Sequence, residues 1–175
     1  MTKGRQDRGD ENPAPLDLGE TLEFLRLIWA IDHGLQLASK RTEALVGVTG
    51  LQRLVVRILG RFPGLSAGQL AGLLHIDPST LSGVLARLAD RNLLDRRSDP
   101  RDTRRAQLAL TADGRKLDVA TEGTVESAVE RALGRIPKDK LNSAREVLRA
   151  LAESLVNASE VAPSRSTRFR RAAGR

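Results

Sequence analysis

The side chains able to do chemistry in this chain are hydroxyls and guanidinium groups gathered into one stretch. Asp77, Ser79, Thr80 and Ser82 stand together, Arg87 and Arg91 follow, and Arg96, Arg97, Arg101, Arg104 and Arg105 come soon after, interleaved with Asp90, Asp95, Asp99 and Asp102. Hydroxyls both donate and accept hydrogen bonds, and the guanidinium fork fits phosphate oxygens and the acceptor edges of bases. This inventory suits binding to an anionic partner and lacks the parts of a catalyst. There is no Gly-rich phosphate loop, no nucleophile elbow and no recognisable carboxylate pair, so an enzyme is not expected.

The chain has no cysteine, which excludes disulfides, thiolate zinc, iron–sulfur ligation and a thiol redox switch. His33 and His75 are its only histidines and lie far apart in sequence, so neither a metal centre nor a cofactor is expected. With three Phe, one Trp and no Tyr, a platform that stacks successive single-stranded bases is also unsupported. The excess of 29 Lys and Arg over 22 Asp and Glu, a formal charge of +7, favours an anionic partner.

The elements that must position these groups follow from periodicity and caps. At 175 residues, 40% hydrophobic and 29% charged, the chain fits one domain with tails. Residues 1–16 combine charge, Gly and Pro without apolar periodicity and read as a disordered arm. Residues 161–175 hold Arg165, Arg168, Arg170, Arg171 and Arg175 with no acid and read as a disordered basic tail. Between about Leu18 and Val46 the apolar residues cover more than one helix face, as expected of a helix buried by more than its own domain.

Thr49–Arg61 is amphipathic at three- and four-residue intervals and stops at Phe62-Pro63-Gly64. Ser66 with Gln69 forms a capping box for a short helix to about Leu74. Asp77-Pro78 caps and opens a helix to about Arg91, with Leu81, Val84, Leu85 and Leu88 on one face and Asn92 placed to end it in a left-handed conformation. Residues 93–98 and 106–110 predict a hairpin whose seven-residue charged connection should project. Thr111 caps a helix expected to continue past Val125 to Ile136-Pro137. Leu141, Ala144, Leu148, Leu151 and Leu155 then mark a helix–helix seam.

Capped helix, short connection, capped helix and charged hairpin is the order of a winged helix-turn-helix. At DPSTLSGVLARLADRNLLDRRSDPRDTRRAQLALTADGRK the sequence resembles the MarR family of bacterial transcriptional regulators. Asp77–Ser82 resembles the start of the recognition helix, Asp99–Arg104 the wing signature, and Leu110-Thr111-Ala112-Asp113-Gly114 the junction leaving the wing. The resemblance, which extends over about Leu18 to Leu155, implies a mainly α fold with a small β-hairpin wing. In that fold a winged helix-turn-helix domain at 49–111 is flanked by dimerisation helices at 17–48 and 112–160.

It also implies a homodimer on a pseudo-palindromic double-stranded DNA site, acting chiefly as a repressor. Arg104 would enter the minor groove, held by Asp102. The expected DNA-binding residues are Ser66, Ser79, Thr80, Ser82, Gly83, Arg87, Arg97, Arg101, Asp102, Arg104 and Arg105. Gly83 departs from the larger polar side chain common in relatives, which weakens any inference about base contacts there.

Trp29 reads first as a core side chain. Together with His33, one turn away, it is also a candidate to line a pocket for a small organic effector. With no long apolar run and no secretory leader pattern, membrane insertion is not expected and a cytoplasmic location is. A winged-helix protein-interaction module without sequence-specific DNA binding is the alternative from another class.

Overall fold

The computed structural model describes residues 17–99 and 102–160, with backbone only at 98–99, 102–105 and 159–160. The arm, the tail and Arg101 lie outside the described residues. Nine elements follow in order: α1 (Gly19–Val46), α2 (Gly50–Arg61), α3 (Ala67–Leu74), α4 (Pro78–Asp90), β1 (Leu94–Asp99), β2 (Asp102–Leu110), α5 (Ala112–Leu117), α6 (Val125–Leu133) and α7 (Lys138–Glu160). None of the described helices is long and apolar enough to cross a membrane.

The core is built by the middle of the chain. Val55, Val56 and Leu59 of α2, Leu70 and Ala71 of α3, and Leu81, Val84, Leu85 and Leu88 of α4 meet Leu93, Leu94, Leu108 and Leu110 at the base of the hairpin. The apolar intervals in α2 and α4 thus become one shared interior. Capping fixes where these short helices start. Thr49 and Ser66 each accept from the backbone N–H three residues on, while Gln52 and Gln69 reach back to the cap residue's own N–H. Asn92 takes φ +56° and His75 φ +50°, ending α4 and α3 in left-handed geometry.

Three expectations are corrected. The helix opened by Thr111 does not run on to Ile136; it stops at Leu117 and a new helix starts at Val125. The cause is Arg53, almost completely buried in α2, which donates to the carbonyls of Leu117 (2.9 Å) and Val119 (2.6 Å). A continuous helix would use those carbonyls for its own ladder. Gly123, at φ +79°, turns the chain back. Arg53 also pairs with Glu126 and donates to Thr121 Oγ1, so its guanidinium pins the whole 117–126 segment to α2.

The hairpin also differs from expectation. Leu94 pairs with Leu110 and Ser98 with Ala106, then the register shifts and Asp99 pairs with Asp102. The seven-residue connection therefore shrinks to residues 100 and 101, because ladder pairing needs backbone groups and not an apolar alternation. The segment before α3 joins the edge of β2: Leu108 N–H donates to Leu65 O (2.9 Å) and Gly64 N–H to Leu108 O (3.1 Å).

The third correction is Trp29, which is not a core residue of this chain but 69% exposed. Only Thr42 is buried in α1. Leu148 and Leu155 of the seam on α7 are each 54% exposed, so that seam is not an intramolecular core.

Candidate nucleic-acid interface

Helix α4 divides cleanly by exposure. Leu81, Val84, Leu85 and Leu88 are buried, and Ser79, Thr80, Ser82, Ala86 and Arg87 are exposed on the outer side, with Gly83 half-buried. The outer face is therefore small and hydroxyl-bearing at its start and cationic one turn before its end. A helix with such an outward face fits the major groove of a duplex, about 12 Å wide.

The start of α4 is fixed by Asp77, whose carboxylate accepts from Ser79 Oγ and from Ser79 N–H (2.7 Å). These hydrogen bonds hold the Asp77 carboxyl below its ordinary range. Ser82 Oγ donates back to Pro78 O (2.8 Å). Ser79 and Ser82 therefore face outward with their protons engaged, presenting acceptor lone pairs. Thr80 N–H also faces the Asp77 carboxylate, while the side chains of Thr80 and Arg87 have no hydrogen-bond or ion-pair partner among the described residues. The space over Gly83 is empty, so neither packing nor a neighbouring side chain blocks close approach there.

Ser66 sits at the other end of the motif, bridged to Gln107 of β2, with its hydroxyl engaged as the cap of α3. The wing base is tied to the end of α4: Thr111 Oγ1 donates to Asn92 O (2.6 Å) and Thr111 N–H to Leu93 O (3.3 Å). Gly114 packs so closely on Leu93 O that a Cβ there would stand 2.0 Å from it, which explains glycine at that point of the junction. Asp113, bonded by Lys116 (2.7 Å) and Asn92 (3.3 Å), is held below the usual carboxylate range, chiefly by Lys116.

On β1, Arg96 and Arg97 are exposed, and Arg97 makes only a loose pair with Asp95 at 3.4 Å. Asp102, Arg104 and Arg105 lie on β2, in the half of the hairpin away from the core; their side chains, and Arg101 altogether, are outside the described residues. The structure thus brings Ser66, Ser79, Thr80, Ser82, Gly83, Arg87 and Arg97 onto one lobe.

Trp29 and His33 are both exposed on α1. They do not line the cleft of about 340 Å³ between α1 and α6, which is bounded by Gly34, Leu37, Ala38, Arg41, Thr124 and Arg131, among others. Sequence reasoning missed Arg53 as an organising residue, because an arginine inside an amphipathic helix reads as solvent-facing. It also missed the capping box of Thr49 and Gln52, whose spacing repeats that of Ser66 and Gln69.

Comparison with known proteins agrees with this architecture. A MarR family profile matches residues 46–105, which span α2 to the middle of β2. The transcriptional regulator HosA of Escherichia coli O111:H- is 32% identical over 111 residues, covering 63% of this chain and 79% of HosA. Among solved structures, the PcaV transcriptional regulator of Streptomyces coelicolor, in complex with its natural ligand, superposes with a TM-score of 0.61 at 26% identity. That match covers 81% of this chain and 99% of PcaV. S. aureus MepR, in a complex with DNA, has the same fold, with a TM-score of 0.64 at 22% identity over 75% of this chain and 97% of MepR. With the family profile on the winged lobe and a relative matched along most of its length, this chain belongs to the MarR family of transcriptional regulators.

Proposed function

We propose that the protein controls transcription by binding, as a homodimer, a pseudo-palindromic duplex site, and that it acts chiefly as a repressor by occupying promoter DNA. The observation that carries this reading is α4, whose four apolar residues are buried while its hydroxyls and Arg87 face outward. In this reading the lobe 49–111 reads DNA, with Ser79, Thr80, Ser82, Gly83 and Arg87 in the major groove and Ser66 and Arg97 beside the backbone. Arg101, Arg104 and Arg105 extend the wing into the minor groove, Asp102 orients Arg104, and the basic tail adds contacts to phosphate alone.

Residues 17–48 and 112–160 form the dimer interface through the exposed apolar faces of α1, α6 and α7. A two-fold dimer places its recognition helices about 34–36 Å apart, one turn of duplex. Capture of PcaV with its natural ligand supports release by a small organic effector in this chain too, working through differential affinity for two conformations. The protein works by binding alone, in the cytoplasm, with no catalytic step.

Selection of bound duplexes from random DNA tests the reading. An inverted repeat should emerge, and Arg104→Ala should weaken its binding by roughly 1–3 kcal/mol. Recovery of duplexes with no common sequence would overturn sequence-specific regulation.

A further inference from the structure

Arg91, the residue that caps the C-terminus of α4, is the one cation of the recognition helix region that turns away from the outer face. Its guanidinium donates through Nη1 to the carbonyl of Gly47, the residue that caps the C-terminus of α1. Two features make that carbonyl a receptor for a cation. The C-terminal end of a helix carries partial negative charge, and the last turn of α1 has no basic residue of its own. Gly47 is also at φ +75°, and a Cβ there would stand 2.9 Å from Arg91 Nη2, so the guanidinium fills the space that glycine leaves.

Elsewhere α1 is tied to the rest of the chain by Ser39, which accepts from Gly50 N–H (2.8 Å), and by Thr42, which accepts from Val125 N–H (3.1 Å). Those links reach α2 and α6. Among the described residues, Arg91 to Gly47 is the hydrogen bond that joins α1 to the end of α4, and the two helices share no extensive packing.

We infer that Arg91 is a positioning residue: a strut that caps α1 from outside and fixes the angle between the flanking helix and the recognition helix. Resting on the reading above, in which α1 belongs to the dimer interface and α4 to the DNA interface, the strut sets the separation of the two recognition helices. It thereby sets the half-site spacing that the protein accepts. Arg91 then contributes to DNA binding through geometry and makes no phosphate contact.

Two measurements test this on the full-length protein. The chain has no cysteine, so Lys40→Cys on α1 and Ala86→Cys on α4 can be spin-labelled cleanly, with labelled chains diluted in unlabelled ones so that the intrachain distance is read in any oligomeric state. Arg91→Ala should broaden or shift that distance distribution, and Arg91→Lys, which keeps one donor, should largely restore it. An unchanged distribution in Arg91→Ala overturns the strut.

The second arm uses the selected operator and versions with one base pair added or removed between half-sites. Arg91→Ala should reduce the preference for native spacing about threefold to tenfold, the net effect of one ordinary hydrogen bond at an exposed site, while leaving the salt dependence of binding unchanged. A salt slope lower by about one unit would mark a phosphate contact and overturn the proposal. If wild type binds no inverted repeat, the DNA reading fails while the distance measurement still decides the strut.

Discussion

Between Val48 and Leu110 most of the large apolar side chains turn inward, with Leu59, Leu70, Leu81, Leu85, Leu88 and Leu108 at most 1% exposed, while Leu54, Phe62 and Leu73 stay at the surface. On the flanking helices Trp29 is 69% exposed, Leu37 54%, and Leu148 and Leu155 54% each. The two regions use similar residues for different ends. The lobe closes a core within one chain and aims a polar helix face outward. The flanking helices, about 42 Å for α1 and 35 Å for α7 at 1.5 Å per residue, keep apolar faces that the other described residues leave uncovered. Exposed apolar area on this scale marks an association surface. The difference fits the proposed division, in which the lobe with the closed core reads DNA and the uncovered flanks associate.

The sharpest way to break that division is at the seam between them. Arg53 belongs to α2 of the lobe, yet every one of its partners, Leu117, Val119, Thr121 and Glu126, lies beyond the wing. Arg53→Ala should destabilise the protein by about 3–5 kcal/mol, because it removes a buried cation from a paired site and strands the carbonyls and carboxylate that faced it. Chemical denaturation with the wild type as reference measures this. A loss below about 1 kcal/mol, the range of an exposed pair, would mean that the 117–126 segment holds itself in place.

How far the sequence could anticipate this arrangement depended on how local each determinant is. Ser66 with Gln69, Asp77 with Pro78, Asn92 and Thr111 act over three or four residues, and each sits where its spacing predicts. The break between α5 and α6 was illegible because its cause lies more than sixty positions away, in Arg53. The hairpin extends beyond its apolar alternation because its outer rungs are charged, although the backbone still pairs there. Trp29 departs from expectation for a third reason: its helix is apolar around most of its surface, and composition alone does not say which chain covers it. At the interface, the outward face of α4 was legible from the spacing of its buried leucines and valine. The engagement of Arg91 with Gly47 was not, since exposed arginines on an arginine-rich lobe look alike in sequence.

A second test places the same kind of residue in both regions. Leu148→Asp on α7 replaces a side chain that is 54% exposed in the single chain, so the folded lobe should keep its thermal stability. If α7 is covered by a partner copy, the substitution removes about 1.5–3 kcal/mol of apolar burial from each subunit and introduces a charge. Sedimentation should then show folded monomers at concentrations where the wild type is dimeric. A dimer of unchanged affinity would move the interface elsewhere, and loss of the folded lobe would mean that α7 is part of its core after all.

The smallest expected effect separates the two regions by how their helices begin. The short α4 depends on its Asp77 cap. Because Ser79 hydrogen bonds depress the folded-state pKa of Asp77, the carboxylate contributes stability that is fully present above its unfolded pKa, near 3.9. That contribution disappears as pH falls through the lower folded-state value. Asp77→Asn keeps a good cap without the titrating charge. The variant should therefore melt slightly below wild type at pH 7, and the gap should close on acidification below about pH 4. Thermal melts across that range decide it: a gap that stays constant with pH would show that the cap works through its shape and its neutral hydrogen bonds alone, with no contribution from ionised Asp77.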